Sequence, residues 1–100
     1  MPAYVVALIE SIHDPESYKQ YVSQVGATLV PFGGRFLARK PDPEALEGEG
    51  VPSRAIVLEF PSVEDARAWH ASPAYQPVAR LRQGASKGTL LLLPGYAAPP

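Results

Sequence analysis

Arg54-Ala55-Ile56-Val57-Leu58-Glu59-Phe60-Pro61-Ser62 is the stretch from which the fold can be read. The run to Phe60 is apolar on both faces apart from its charges, the pattern of a strand covered on both sides. Pro61-Ser62 stops it. Ser62 with Asp65 three residues later resembles a capping box, although Glu or Gln is the commoner partner, and so opens a helix. That helix carries Ala66, Trp69 and His70 on neighbouring ridges. It is interrupted at Ser72-Pro73, and a further helical piece runs to about Gln83. Thr89 to Leu93 then reads as a last strand.

Upstream of the deciding stretch, Arg35 to Lys40 reads as its hairpin partner. Pro41 to Pro52 joins the two, with three Pro, two Gly and four acidic residues, and is the segment expected to be most mobile. Before it lies a helix with Tyr18, Tyr21, Val22, Val25 and Leu29 on one apolar stripe. Asp14 is its N-cap, Pro15 its first helical residue and Glu16 a favourable charge in its first turn. Pro31 and Gly33-Gly34 end it. Ala3 to Ile12 is the first strand, with Tyr4, Val6, Leu8 and Ile12 on one face and Val5, Ala7 and Ile9 on the other.

The order βαββαβ is that of an α+β ferredoxin-like sandwich: a four-stranded antiparallel sheet, first and third strands central, helices on one face. Residues 1–95 form the expected single domain and 96–100 a tail. Helices cover only one side, so Val57, Leu37 and alternate Leu residues of the last strand form an apolar patch on the other. That patch predicts a homodimer packed sheet to sheet about a two-fold axis.

Composition removes several function classes. Of 100 residues 46% are hydrophobic and 19% charged, which favours a folded core over disorder. A net charge of −1 offers no basic footprint for nucleic acid or an anionic membrane. No Cys is present, so disulfides and thiolate chemistry are excluded, and two His without metal-ligand spacing argue against a protein-only metal centre. The N-terminus lacks signal-peptide character and the apolar runs are strand-sized, so a cytoplasmic protein is expected. There is no Gly-rich phosphate loop, no Gly-x-Ser-x-Gly elbow and no flavin or nicotinamide fingerprint, and no cofactor is expected.

Candidate chemistry rests on few residues. Glu59 sits among apolar neighbours, where a lone carboxylate is costly. If Phe36 pairs near Leu58, Arg35 lies opposite Glu59, which reads either as a structural cross-strand pair or as an anchor for a polar substrate. Glu10 falls near Arg54, so it forms no catalytic pair with Glu59. His70 is a candidate general base, although such a histidine is more often a half-exposed helix residue with no task; His13 reads as a loop residue. Trp69 is most simply a core anchor. Tyr18, Tyr21 and Tyr75 are chiefly core aromatics, and a pocket lined by their rings would suit an apolar or aromatic molecule.

Together, Asp14-Pro15-Glu16-Ser17-Tyr18, Tyr21, Gly33-Gly34-Arg35-Phe36, Glu59-Phe60-Pro61-Ser62, Ala68-Trp69 and Ser72-Pro73-Ala74-Tyr75-Gln76 carry a resemblance. The chain resembles the domain of unknown function 1330 family, within the dimeric α/β-barrel superfamily, from Tyr4 to about Gly95. The resemblance implies a ferredoxin-like protomer and a dimer with facing sheets. Relatives in the wider superfamily include cofactor-free monooxygenases, isomerases, haem enzymes and ligand-sensing modules, and fold does not choose among them. The expected function is binding of an apolar or aromatic metabolite between sheet and helices, with Arg35 and Glu59 orienting it and Trp69, His70 and Tyr75 lining the site. The alternatives are a cofactor-independent monooxygenase or isomerase using His70 or Glu59 as proton acceptor, and a purely structural dimer.

Overall fold

Hydrophobic alternation and helix caps place most elements where the sequence puts them. The computed structural model describes residues 1–39 and 42–97. In chain order these form β1 (Ala3–Ile12), α1 (Pro15–Leu29), a 3₁₀ turn (Val30–Phe32), β2 (Arg35–Ala38), β3 (Arg54–Phe60), α2 (Val63–His70), α3 (Tyr75–Gln83) and β4 (Ser86–Pro94). The sheet is antiparallel in the order β2-β3-β1-β4, the ferredoxin-like arrangement with β1 and β3 central. The expected second strand ran to Lys40, which lies outside the described residues, as does Pro41. The last strand is longer than its apolar run, because Ser86 and Lys87 continue the ladder beside Ile12 and Ser11. Among the described residues no helix is long and apolar enough to cross a membrane.

One face assignment is corrected. Unbroken alternation sends Ile12 to the side of Tyr4, Val6 and Leu8. The β1–β4 register shifts between Ile9 and Ser11, and Ile12 instead packs with Ile9, Tyr18 and Ala85. An extra residue reverses the alternation beyond it, so the bulge carries Ile12 to the helix side.

The caps hold the helices in register with the sheet. Asp14 accepts the Ser17 N–H at 3.3 Å and the Ser17 hydroxyl at 3.1 Å. Ser62 accepts the Asp65 N–H at 3.1 Å and donates its hydroxyl to the Asp65 carboxylate at 2.9 Å. Ser72 does the same work at the break between α2 and α3: its hydroxyl accepts the Tyr75 N–H at 3.1 Å and donates to the Trp69 carbonyl at 2.7 Å. After the 3₁₀ turn, Gly33 takes φ 71°, a left-handed conformation that a side chain resists. Gly34 has a different reason to lack a side chain: a Cβ there would stand 2.6 Å from the Phe60 ring.

Helices and sheet meet in a core of Val5, Val25, Leu29, Leu58 and Phe60 around Trp69 and Tyr75. Trp69 and Tyr75 have no exposed surface and their ring centroids are 4.0 Å apart. Burying two such rings contributes roughly 4–6 kcal/mol of transfer free energy each, before conformational entropy is subtracted. The Trp69 indole N–H donates to the Thr28 hydroxyl at 3.0 Å, which removes the penalty of a buried unpaired donor. The opposite face of the sheet is apolar and open. Leu8, Leu91 and Leu93 are 37%, 44% and 47% exposed there, beside half-buried Tyr4, Val6 and Val57.

Candidate functional site

Between the sheet and α1 the side chains leave a cavity. Val5, Ala7, Ile56, Leu58 and Leu90 form its sheet wall, Tyr18, Tyr21, Val22 and Val25 its helix wall, and Trp69 closes one end. Phe36, Arg39, Arg54 and Arg82 complete the lining. The enclosed volume is about 50 Å³, and the space out to the open mouth is about 530 Å³. Among the described residues no carboxylate and no imidazole lines it. A second crevice of about 230 Å³ lies between α2 and β4, against Ala66, Arg67, His70 and Leu92. Trp69, with Val5 and Leu90, lines both spaces and forms part of the partition between them.

The expected site residues separate into two groups. Arg35 does face Glu59 across β2 and β3, with Phe36 opposite Leu58. The pair is tight: Arg35 Nε donates to Glu59 Oε1 at 2.8 Å, and a terminal nitrogen lies at 2.7 Å. Its position overturns the expectation that Arg35 and Glu59 orient a ligand in the helix layer. Leu58 and Phe60 point into that layer, so Glu59 between them points to the other face of the sheet, and Arg35 with it. The tight pair favours the structural reading of these two residues.

Trp69, His70 and Tyr75 do come together, on the helix side. The His70 ring lies 5.7 Å from the Tyr75 ring and 6.2 Å from the Trp69 ring. His70 is exposed and borders only the α2–β4 crevice, while Tyr75 is sealed in the core and lines neither space. Of this trio only Trp69 reaches the cavity. Neither candidate proton acceptor, Glu59 or His70, lines it. His13 is a loop residue in fact as expected, its Nε2 donating to the Gly84 carbonyl at 2.9 Å.

The chain matches the family described as Domain of unknown function (DUF1330) over residues 2–96. It belongs to the DUF1330 family. No curated protein matches the sequence. Among solved structures, a protein of unknown function from Rhodopseudomonas palustris is similar at TM-score 0.79 with 19% identity, covering 97% of this chain and 84% of that one. A dimeric ferredoxin-like protein of unknown function from Thermobifida fusca is similar at TM-score 0.66 with 16% identity, covering 94% and 91%. A cofactor-independent oxygenase from Streptomyces nogalater, SnoaB, is similar at TM-score 0.61 with 16% identity, covering 99% and 96%. At these identities the likeness is one of fold.

The electrostatics of the cavity in this DUF1330 chain are set by phenols and guanidiniums. Tyr18 and Tyr21 face it, and burial raises the pKa of both phenols above 10.0. For Tyr21 the neighbouring Tyr75 hydroxyl, 3.1 Å away, pushes further in the same direction, and Arg82 pulls partly back. For Tyr18, Arg54 and Arg82 both pull back. The guanidinium carbons of Arg54 and Arg82 lie 5.0 Å and 5.7 Å from the ring centroids of Tyr18 and Tyr21, and that of Arg39 lies 4.3 Å from Phe36. Sequence reasoning missed all three arginines as cavity residues. The signal for Arg82 was present: Tyr75, Val78, Ala79 and Arg82 recur at i, i+3, i+4 and i+7, which puts Arg82 on the buried stripe of α3.

Proposed function

We propose that this protein is a small-molecule-binding module that takes an apolar or aromatic ligand in the cavity between α1 and the sheet. The observation that carries the reading is the lining: apolar walls, aromatic rings and a few polar groups, the arginines, which is the composition of a small-molecule site. The enclosed 50 Å³ is below the ~150 Å³ of an apolar cavity that holds benzene. A ring therefore enters as the cavity widens, and the exposed Arg39 and half-buried Arg54, held by ring-face contacts with Phe36 and Tyr18, are the lining side chains that would move. With neither His70 nor Glu59 in the cavity, binding is favoured over proton-transfer catalysis.

The binding unit is a homodimer in this proposal. What supports it is the open apolar face of Leu8, Val57, Leu91 and Leu93, which a second copy would cover. Sedimentation at micromolar concentration is expected to give twice the chain mass, and Leu91→Lys to halve it; a monomeric wild type would refute the dimer.

A thermal-shift screen with neutral and anionic one- and two-ring aromatics tests the site. A ligand at 100 times its Kd adds about 2.7 kcal/mol of stability. Val22→Phe, which lays a ring across the half-buried wall of α1, is expected to abolish that protection while the protein stays folded. Protection that survives Val22→Phe, or none from any compound, overturns the proposal.

A further inference from the structure

Arg82 is 7% exposed, and its Nε has no hydrogen-bond partner and no contact with solvent. Among the described residues the ion pairs are Arg35–Glu59 and Lys87–Glu10, so no described carboxylate lies within 4.0 Å of the Arg82 guanidinium. A guanidinium does not shed its proton in a protein, and a buried charge is ordinarily paired. Here the charge lines a cavity to which Arg54 and Arg39 contribute two more guanidiniums and which, among the described residues, no acid lines. One further donor is available. The Tyr21 and Tyr75 hydroxyls form a single hydrogen bond, in which either serves as donor, so the pair keeps one O–H proton in hand. When Tyr75 donates, that proton belongs to Tyr21, which faces the cavity.

We propose that the ligand of this cavity is an anion, a small molecule with an apolar body and a carboxylate, whose carboxylate pairs with the Arg82 guanidinium at its unpartnered Nε. The inference rests on the cavity being the binding site. Guanidinium and carboxylate match as two parallel charge-assisted hydrogen bonds, so Arg82 supplies both the countercharge and the orientation. Arg54, half-buried on β3, adds a second positive charge near the same end. Trp69 and the apolar sheet wall receive the body of the ligand. A carboxylate fits better than a phosphate monoester, because one charge rather than nearly two must leave water for an apolar chamber.

The test is calorimetric titration of the full chain at neutral pH and low salt with benzoate and with benzamide, its neutral counterpart of similar shape. Benzoate is expected to bind at least about tenfold more tightly, the difference one charge-assisted hydrogen bond supplies. Arg82→Met, which keeps the aliphatic stem, is expected to erase that preference. It should also raise the thermal midpoint of the unliganded protein, since a buried unpaired charge is gone. If Arg82→Met does not fold, Arg54→Met carries the same comparison, with a reduced preference expected. Equal affinity for the two probes in the wild type overturns the anion and leaves the cavity standing as a site. No heat from either probe at about 10 mM, where a ~1 mM site is nearly filled, overturns the site and the anion together.

Discussion

Replacing Thr28 by Val is the sharpest probe of how the cavity wall is held. Thr28 is 8% exposed, and its hydroxyl accepts the Trp69 indole N–H at 3.0 Å while donating to the Val25 carbonyl at 2.6 Å. Valine keeps the shape and has a similar helix propensity, so the change is confined to hydrogen bonding. Trp69 is wholly buried, and its N–H would then have no partner. Leaving a buried donor unsatisfied costs about 1–3 kcal/mol. For a chain of 100 residues each kcal/mol lowers the melting midpoint by roughly 4–8 °C. The assay is urea unfolding followed by far-ultraviolet circular dichroism at one fixed protein concentration, because a dimer would link stability to concentration. Trp69→Phe completes a double-mutant cycle. In that background the indole N–H is absent, and Thr28→Val should cost within about 0.5 kcal/mol of nothing. A loss below about 0.5 kcal/mol in the wild type, or an equal loss in both backgrounds, would refute the pairing as what holds the partition in place.

Three further outcomes are expected. Gly34→Ala drives a methyl group to 2.6 Å from the Phe60 ring and 3.2 Å from the Leu29 side chain, and should lower stability by about 1–3 kcal/mol in the same unfolding assay. Ser72→Ala removes the hydroxyl that caps Tyr75 and should cost about 1 kcal/mol; unchanged stability would mean that the break between α2 and α3 needs no cap. Alkaline pH should destabilise the fold in a way that depends on Tyr21. Its folded pKa is raised, so the unfolded phenol ionises first: the contribution is complete below pH 10.0 and is lost as pH climbs toward the folded value. Unfolding free energies measured from about pH 9 to 11 should fall less steeply in Tyr21→Phe.

The topology was legible because local chemistry and the global fold agree at each boundary. Asp14-Pro15, Ser62 with Asp65, and Ser72-Pro73 each announce a helix start that their side-chain oxygens then make. Even the Arg35–Glu59 pairing followed from hairpin register. The faces were harder. Ile12 was misassigned because a bulge has no reliable signature in one sequence, and every residue beyond it changes sides. Glu59 was placed correctly along its strand and on the wrong side of the sheet for a ligand, although the alternation of Leu58, Glu59 and Phe60 contained the answer. Arg82 escaped notice for another reason. Charged residues are ordinarily taken for wet-face residues, and the position of Arg82 on an apolar helical stripe was outweighed by its type.

The place of Trp69 in the partition also makes the molecule self-reporting. It is the one tryptophan of the chain, sealed from water and in contact with both the α1 cavity and the α2–β4 crevice. Its near-ultraviolet emission should therefore be blue-shifted in the native state and should respond to an occupant on either side, with the Tyr75 ring 4.0 Å away as an energy donor. A ligand can be followed by light from the wall it touches, with no label introduced.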